Sequence, residues 1–202
     1  MVYNSIMYNN HKNFIINDIF TANEINQIYE FIKTVDSTHL STLLGQKIYH
    51  AGLPSNILDK VTKTMNDVLD YSVYLTEHSF VSYTNETGYV PKLFPHFDEV
   101  FPKPRITLDV QLGGNFEWPL FVKGKEFVLN NNEALVFSGT NQIHWRKDQK
   151  ILDGQQLDMI FFHFSSDQYA EFDPEYREYL ESECDFWQSE LNMSREEEKI
   201  NE

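Results

Sequence analysis

The change in hydrophobic period near residue 79 is the feature that most constrains the fold of this chain. Before it, apolar residues recur at helical spacing, as they do across residues 25–32. After it, apolar and polar residues alternate, most regularly across residues 106–112. Strict alternation is typical of a strand with one buried face. The sequence therefore predicts helices first and a β-rich region afterwards.

Three helices are predicted. Thr21 and Glu24 match a capping box, so the first helix is expected near residues 22–35. The second is expected after Pro54, with Ser55 as its cap, and should run to about residue 75. The third follows Pro174. Its expected apolar face consists of Tyr176, Tyr179, Leu180, Cys184 and Trp187.

About eight short strands complete the prediction, and Lys123-Gly124-Lys125 marks a hairpin between two of them. They are expected at residues 14–18, 79–83, 106–112, 118–122, 126–129, 134–137, 143–144 and 157–164. This pattern favours an all-β core with flanking helices, arranged as a double-stranded β-helix, or jelly roll. We expect a single domain over residues 1–190 and a disordered acidic tail over residues 191–202.

The composition argues against several classes of partner. The chain has 16 basic and 31 acidic residues, a formal net charge of −15. Nucleic acids and anionic membrane surfaces both attract basic proteins, so neither is an expected partner. No apolar run approaches the length of a membrane span, and the N-terminus lacks an apolar signal segment. With one cysteine, Cys184, the chain cannot form an internal disulfide, and we expect a cytoplasmic location.

One motif carries metal chemistry. In His96-Phe97-Asp98 the first and third side chains point to the same face of an extended segment. His144 could supply a third ligand from a distant strand. Two imidazoles and one carboxylate form the facial set of non-haem iron(II) sites, which leaves half of the coordination sphere open.

The chain resembles the 2-oxoglutarate- and iron(II)-dependent oxygenases, and more narrowly their prolyl-4-hydroxylase-like branch. The resemblance covers about residues 13–165 and rests on an ordered series of motifs rather than on the HxD pattern alone. The series is Tyr83, Gly88, Pro95-His96-Phe97-Asp98, Arg105-Ile106-Thr107-Leu108, Trp118-Pro119-Leu120, Glu133-Ala134-Leu135-Val136-Phe137 and His144.

The resemblance implies residue roles, with one departure. His96, Asp98 and His144 correspond to the catalytic iron ligands, and Tyr83 lies where the branch places a tyrosine near the co-substrate. The branch also has a Lys or Arg about ten residues after the distal histidine, which pairs with the far carboxylate of 2-oxoglutarate. Residues 153–158 contain no cation there. Arg146, two residues after His144, is the favoured replacement. The next candidates are Arg105 and Lys150.

The implied activity is hydroxylation of a C–H bond, coupled to oxidative decarboxylation of 2-oxoglutarate to succinate. It requires Fe(II), 2-oxoglutarate and O2, with ascorbate as an optional reductant. The prime substrate is a polypeptide or a small molecule, and the resemblance favours a polypeptide slightly. Three segments are expected to select it: Asn85 to Lys92, Glu99 to Pro104, and Lys147 to Gly154.

Other interpretations remain open. A jelly-roll module could bind a metal or ligand without turnover. A cupin-type metalloenzyme is less favoured, because the sequence has no His-x-His pair with a following Glu. His163 is expected to be a hydrogen-bonded core residue rather than a fourth ligand. The remaining aromatic and histidine candidates are expected to pack or to form ordinary hydrogen bonds; they are Trp118, Trp145, His11, His39, His50 and His78.

Overall fold

The computed structural model describes residues 12–37, 40–43, 45–98, 105–167 and 174–193. Within them the chain forms three α-helices: α1 (Ala22–Lys33), α2 (Ser55–Val68) and α3 (Pro174–Glu190). The strands are β1 (Phe14–Ile16), β2 (Leu40–Leu43), β3 (Gln46–Tyr49), β4 (Tyr74–Tyr83), β5 (Leu93–His96), β6 (Ile106–Gly114), β7 (Leu120–Val122), β8 (Lys125–Phe127), β9 (Glu133–Phe137), β10 (His144–Arg146) and β11 (Leu157–Ser165).

The strands form two antiparallel sheets. The larger has seven strands in the order β1-β9-β6-β11-β4-β3-β2, and the smaller has four in the order β5-β10-β7-β8. Neighbours in the order are mostly not consecutive in the chain, as in a jelly roll. This confirms the predicted all-β core with flanking helices.

The alternation in β6 divides the interior into two packed layers. Ile106, Leu108 and Val110 pack on one side of the large sheet with residues of α1 and α2. On the other side, Leu135 of β9 packs with Leu120 of β7, so that face looks onto the small sheet. The polar residues that alternate in β6 therefore lie between the two sheets, and this is where the candidate site is found.

The helix predictions were partly right. The capping box is present: Glu24 N–H donates to the Thr21 hydroxyl at 3.3 Å, and Thr21 N–H donates to Glu24 Oε2 at 2.7 Å. The predicted end of the second helix was wrong, because α2 stops at Val68 rather than near residue 75. The Asn66 side chain bonds both N–H and C=O of Val73, which turns the chain back toward β4.

Two further details of the helices differ from the prediction. Pro54, not Ser55, is the N-cap of α2, and it makes no side-chain cap hydrogen bond. In α3, Leu180 and Cys184 are buried as expected, but Tyr179 is 51% exposed. Tyr179 lies one position before Leu180, which rotates it by about 100° away from the buried side of the helix.

The strand predictions missed the β2–β3 hairpin, strand β5 and the start of β4. β2 and β3 pair antiparallel through a turn at Gly45, whose φ is 75°. That turn packs so closely on Pro91 that a Cβ added at Gly45 would lie 2.6 Å from the Cα of Pro91. β2 is half-exposed to exposed along its length, so it lacks a strong hydrophobic signal. β4 begins at Tyr74, five residues before the predicted start.

Several predictions fall outside the described residues: the segment Glu99 to Pro104, most of the acidic tail, His11 and His39. Among the helices that the structure does describe, none combines the length and apolar character that a membrane crossing requires.

Candidate metal centre

The predicted ligands come together where the edge of the small sheet meets the large one. β5 and β10 pair antiparallel, with His96 directly opposite His144. Their ring centroids are 4.1 Å apart. Asp98 follows two residues after His96, and one ligand atom from each of the three residues lies within 4.8 Å of the others.

Backbone carbonyls determine which nitrogen carries the proton in the His96 and His144 rings. His96 Nδ1 is 2.7 Å from the carbonyl of Phe94, and His144 Nδ1 is 2.9 Å from the carbonyl of Gln142. A carbonyl can only accept, so Nδ1 carries the hydrogen in both rings. The Nε2 lone pairs are thereby left for a metal, the arrangement found behind most metal-bound histidines.

Asp98 is held by backbone and side chain together. Its N–H donates to the Gly139 carbonyl at 2.9 Å, and its Oδ2 accepts from the Thr107 hydroxyl at 2.6 Å. Its other oxygen, Oδ1, lies 3.6 Å from His144 Nε2. The carboxylate thus presents Oδ1 to His144 and Oδ2 to Thr107.

The electrostatics give Asp98 and His144 the protonation states that a metal needs. Although burial opposes ionisation, electrostatic interactions with the neighbouring imidazoles and the Thr107 hydrogen bond lower the pKa of Asp98. Burial and the neighbouring His96 lower the pKa of His144 to about 3. Asp98 is therefore an anion and His144 a neutral imidazole at pH 7. This donor set fits iron(II).

Arg146 lies in the interior near the ligands, as its i+2 position predicts. It is 2% exposed, its Nη1 donates to the carbonyl of Trp118, and its guanidinium carbon is 5.2 Å from the centroid of the Trp118 ring. Tyr83, 1% exposed, packs edge-to-face on the same ring at 4.7 Å. Arg146 and Tyr83 therefore both lie against the Trp118 ring.

Arg146 is a buried cation with little electrostatic compensation. Within the described part of the chain, no carboxylate lies within the 4.0 Å of an ion pair with Arg146. The nearby charge is Asp109 on β6, whose pKa burial raises to about 7 against the opposing charge of Arg146. Burial lowers the pKa of Arg146 and raises that of Tyr83. A buried guanidinium of this kind suits an anionic ligand.

The other two predicted cations lie elsewhere. Arg105 Nη1 is 3.0 Å from Glu77 Oε2, so its guanidinium is engaged by an acidic side chain. Lys150 is exposed in the loop before β11.

His163 is closer to the site than the sequence suggested. It lies on β11, with Nε2 3.6 Å from Asp98 Oδ2. Its Nδ1 is buried and, among the described residues, has no hydrogen-bond partner, although Glu77 Oε2 is 3.8 Å away. It is not among the three residues whose ligand atoms lie within 4.8 Å of one another, and the hydrogen bonding predicted for its ring is absent at Nδ1 among the described residues.

Sequence reasoning also missed Thr107, Asp109 and Gly139. Thr107 and Asp109 alternate with the apolar residues of β6, which was a readable signal that they share the opposite face. Gly139 carried no such signal, because its role depends on residues far away in the sequence. Lys92, which is completely buried with Nζ 5.4 Å from the Phe94 ring centroid, was not singled out either.

The remaining predicted residues have ordinary structural roles. His50 Nε2 is 2.6 Å from the Ser41 hydroxyl, and His78 Nε2 accepts from the N–H of Leu53 at 3.1 Å. The Trp118 indole donates to the Lys147 carbonyl at 2.7 Å. Trp145 stacks on Phe121 at 5.5 Å on the outer side of the small sheet. Both tryptophans pack, as expected.

The chain matches known proteins in its fold but not in its sequence. No protein-family model matches the sequence, and no curated protein matches it. Solved structures do match. The chain has the fold of the 2-oxoglutarate- and iron(II)-dependent oxygenases.

Three solved structures illustrate the match. HygX from Streptomyces hygroscopicus, with nickel, 2-oxoglutarate and hygromycin B bound, is 11% identical with a TM-score of 0.58, over 83% of this chain and 88% of HygX. The viral collagen prolyl hydroxylase of Paramecium Bursaria Chlorella virus-1 is 10% identical with a TM-score of 0.54, over 79% and 98%. A Trichoplax adhaerens prolyl hydroxylase, in complex with a hypoxia inducible factor peptide, is 13% identical with a TM-score of 0.54, over 86% and 89%.

Proposed function

We propose that the protein is an Fe(II)- and 2-oxoglutarate-dependent dioxygenase that hydroxylates a C–H bond and converts 2-oxoglutarate to succinate and CO2. The observation that carries this proposal is the convergence of His96, Asp98 and His144. Both histidine Nδ1 atoms donate to backbone carbonyls, which leaves the Nε2 lone pairs for a metal, and Arg146 is buried two residues beyond His144. A set of three ligands on one face supports O2 chemistry, because it leaves room for both co-substrates.

The ligands and the interior between the sheets would have separate roles. His96, Asp98 and His144 would hold iron(II), and the Asp98 carboxylate offsets half of its charge. Bound iron(II) would supply the activation of O2, with 2-oxoglutarate as the reductant; ascorbate would keep the iron in its ferrous state. The chain itself contributes orientation and a dry interior between the two sheets, lined by residues such as Leu135, Phe137 and Met159.

Arg146 is the proposed anchor for the far carboxylate of 2-oxoglutarate. Its planar guanidinium can donate two parallel hydrogen bonds to a carboxylate, and its burial shields that pair from water. Tyr83 lies against the same tryptophan ring and could donate its hydroxyl to the same carboxylate. Burial raises the Tyr83 pKa, which keeps that hydroxyl protonated.

The prime substrate is proposed to be a polypeptide, with a small molecule as the alternative. The structures that share the fold include both situations: a prolyl hydroxylase in complex with a peptide and HygX with hygromycin B. The preference for a polypeptide rests on the sequence resemblance to the prolyl-4-hydroxylase-like branch.

A non-catalytic binding module is the second candidate. It would use the triad to hold a metal structurally and would need neither open coordination positions nor a buried cation beside them. Arg146 therefore favours the enzyme, because burying a guanidinium that has no carboxylate in ion-pair contact costs free energy, which an anionic ligand would recover.

Iron binding tests the site. Anaerobically prepared protein should bind about one iron(II) per chain, and 2-oxoglutarate should then produce a weak visible charge-transfer band. His96→Ala, Asp98→Ala and His144→Ala should each abolish the band, since losing one of three ligands destroys the facial set. His78→Ala is the matched control, because His78 is a partly buried histidine bonded to backbone. Full metal occupancy in all three ligand variants would refute the assignment.

Succinate formation tests the reaction. The wild-type protein with iron, ascorbate and 2-oxoglutarate should consume O2 and release succinate above the level of a metal-free control. Iron binding without any succinate would instead support the binding module.

A further inference from the structure

The two oxygens of Asp98 lie in different surroundings. Oδ1 faces the His144 imidazole, 3.6 Å from its Nε2. Oδ2 points the other way and accepts the Thr107 hydroxyl at 2.6 Å, with His163 Nε2 3.6 Å from it. An ionised carboxylate only accepts hydrogen bonds, so the Thr107 hydroxyl is the donor. The carboxylate is thus oriented before any metal arrives.

Thr107 is well placed to impose this orientation. It lies on β6 opposite Phe137 of β9 and is 2% exposed, so neither water nor side-chain motion competes easily with its hydrogen bond. Its β-branched side chain is also stiff about χ1. A buried hydrogen bond to a charged acceptor is stronger than one between neutral groups.

Gly139 provides the space for this contact. A Cβ at Gly139 would lie 1.8 Å from Asp98 Oδ2 and 2.2 Å from Thr107 Oγ1, so any side chain would displace both groups. The Gly139 carbonyl also accepts the Asp98 N–H at 2.9 Å. Gly139 therefore fixes Asp98 from two sides, through its backbone and through its missing side chain.

The number of Asp98 oxygens that bind the metal matters because it determines how many positions remain for co-substrates. Three protein ligands that each gave one atom would leave room at iron(II) for a two-atom chelate from a 2-oxo acid and for O2. A carboxylate that bound through both oxygens would take a fourth position. The chelate and O2 could then not bind together.

We propose that Thr107 is a positioning residue that, together with Gly139, holds Asp98 Oδ2 away from the metal and so keeps Asp98 a one-oxygen ligand. This inference rests on the proposed function, since it concerns the positions that 2-oxoglutarate and O2 would occupy. Its specific consequence is that losing the Thr107 hydroxyl impairs co-substrate chelation more than it impairs metal binding.

Thr107→Val tests this, because it removes the hydroxyl and keeps the shape. Iron(II) affinity should stay within about threefold of wild type, while the affinity of the iron-loaded protein for 2-oxoglutarate falls at least tenfold and the charge-transfer band weakens. Thr107→Ser should restore both. Ser82→Ala is the matched control, since Ser82 also donates a buried 2.7 Å hydrogen bond to a carboxylate, that of Asp158. It should change neither quantity.

Three results would overturn the inference. They are unchanged 2-oxoglutarate affinity in Thr107→Val, an equal loss in Ser82→Ala, and no recovery in Thr107→Ser. Failure of the wild-type protein to bind iron would overturn the proposed function as well, so the two failures are distinguishable.

Gly139→Ala provides a second variant. Displacement of Asp98 should weaken iron(II) binding by roughly 10- to 100-fold. Gly52→Ala, where an added Cβ meets nothing within 4 Å, should bind iron normally. Wild-type iron affinity in a folded Gly139→Ala protein would show that the close approach at Gly139 does not hold Asp98.

Discussion

At the scale of single residues, Arg146 is the side chain on which the co-substrate assignment depends. Arg146→Ala should leave iron binding nearly intact and weaken 2-oxoglutarate binding by roughly 30- to 1000-fold, because a buried charge-assisted pair contributes about 2–4 kcal/mol. Titration of the charge-transfer band measures both effects. Lys150→Ala, at an exposed site, is the control. Unchanged affinity in Arg146→Ala with a large loss in Arg105→Ala would move the anchor to Arg105.

Asp109 makes a prediction about pH and stability. Burial raises its pKa from 3.8 to about 7 in the folded protein. The folded state therefore keeps a proton that the unfolded chain loses near pH 4. The stability that this proton contributes is complete below pH 4 and is lost as the pH rises to about 7.

Asp109→Asn should remove this pH dependence, because an amide does not ionise. The variant should match wild type near pH 4 and be more stable at pH 8 by ~2–4 kcal/mol, measured by urea denaturation across that range. A stability difference that is the same at both pH values would contradict the assignment of a buried, proton-binding Asp109.

The residues of the site were predictable to the extent that their signal is local. The pairing of His96 with Asp98 was predicted from strand geometry, but β5 ends at His96, and hydrogen bonds to Gly139 and Thr107 hold Asp98 instead. The same rule did place Arg146 on the buried face of its strand with His144. His163 could not be placed, because its proximity to Asp98 depends on the pairing of β11 with β6. Gly139 also required the folded structure, since what it avoids is a clash with side chains distant in sequence.

At the scale of elements, α3 supports the small sheet from outside. Leu180 and Cys184 pack with Ile143, which lies just before β10, and with Trp145 of β10. The other face of β10 carries His144 and Arg146. Leu180→Ala should reduce the free energy of unfolding by roughly 2–5 kcal/mol, because it leaves a cavity at a site that is 2% exposed.

Tyr179→Ala is the matched control on the same helix. Tyr179 is 51% exposed, so its loss should change stability by no more than about 0.5 kcal/mol. Urea denaturation of both variants provides the comparison. Equal effects would mean that α3 does not pack through its Leu180 side.

Element boundaries followed local signals only where those signals were strong. The alternation in β6 and the capping box of α1 were each sufficient to predict the start of their element. The end of α2 was not predictable from periodicity, because the side chain of Asn66 ends the helix by bonding to Val73. The β2–β3 hairpin is stabilised mainly by pairing with β4, which a local pattern cannot reveal.

At the scale of the whole molecule, the two-sheet arrangement explains why the fold was more predictable than the function. The change from helical to alternating period determines which residues must be buried between layers. The prime substrate, by contrast, is predicted to be selected by loops. One of them, from Glu99 to Pro104, lies outside the described residues.

The net charge of −15 favours a positively charged substrate. A strongly acidic protein attracts cationic partners, and salt weakens that attraction. The protein should release succinate slowly on its own, because iron with bound 2-oxoglutarate still has a position for O2. A cationic peptide fraction of a cell extract should accelerate succinate release, and the acceleration should decline as ionic strength rises.

The assay separates an extract into peptide and small-molecule fractions, divides each by charge, and measures succinate for every fraction with wild-type and Asp98→Ala protein. Asp98→Ala should give no stimulation, because it lacks one of the proposed iron ligands. Stimulation by a small-molecule fraction would replace the polypeptide proposal. Stimulation that is confined to anionic fractions would show that local loop chemistry, rather than the overall charge, selects the substrate.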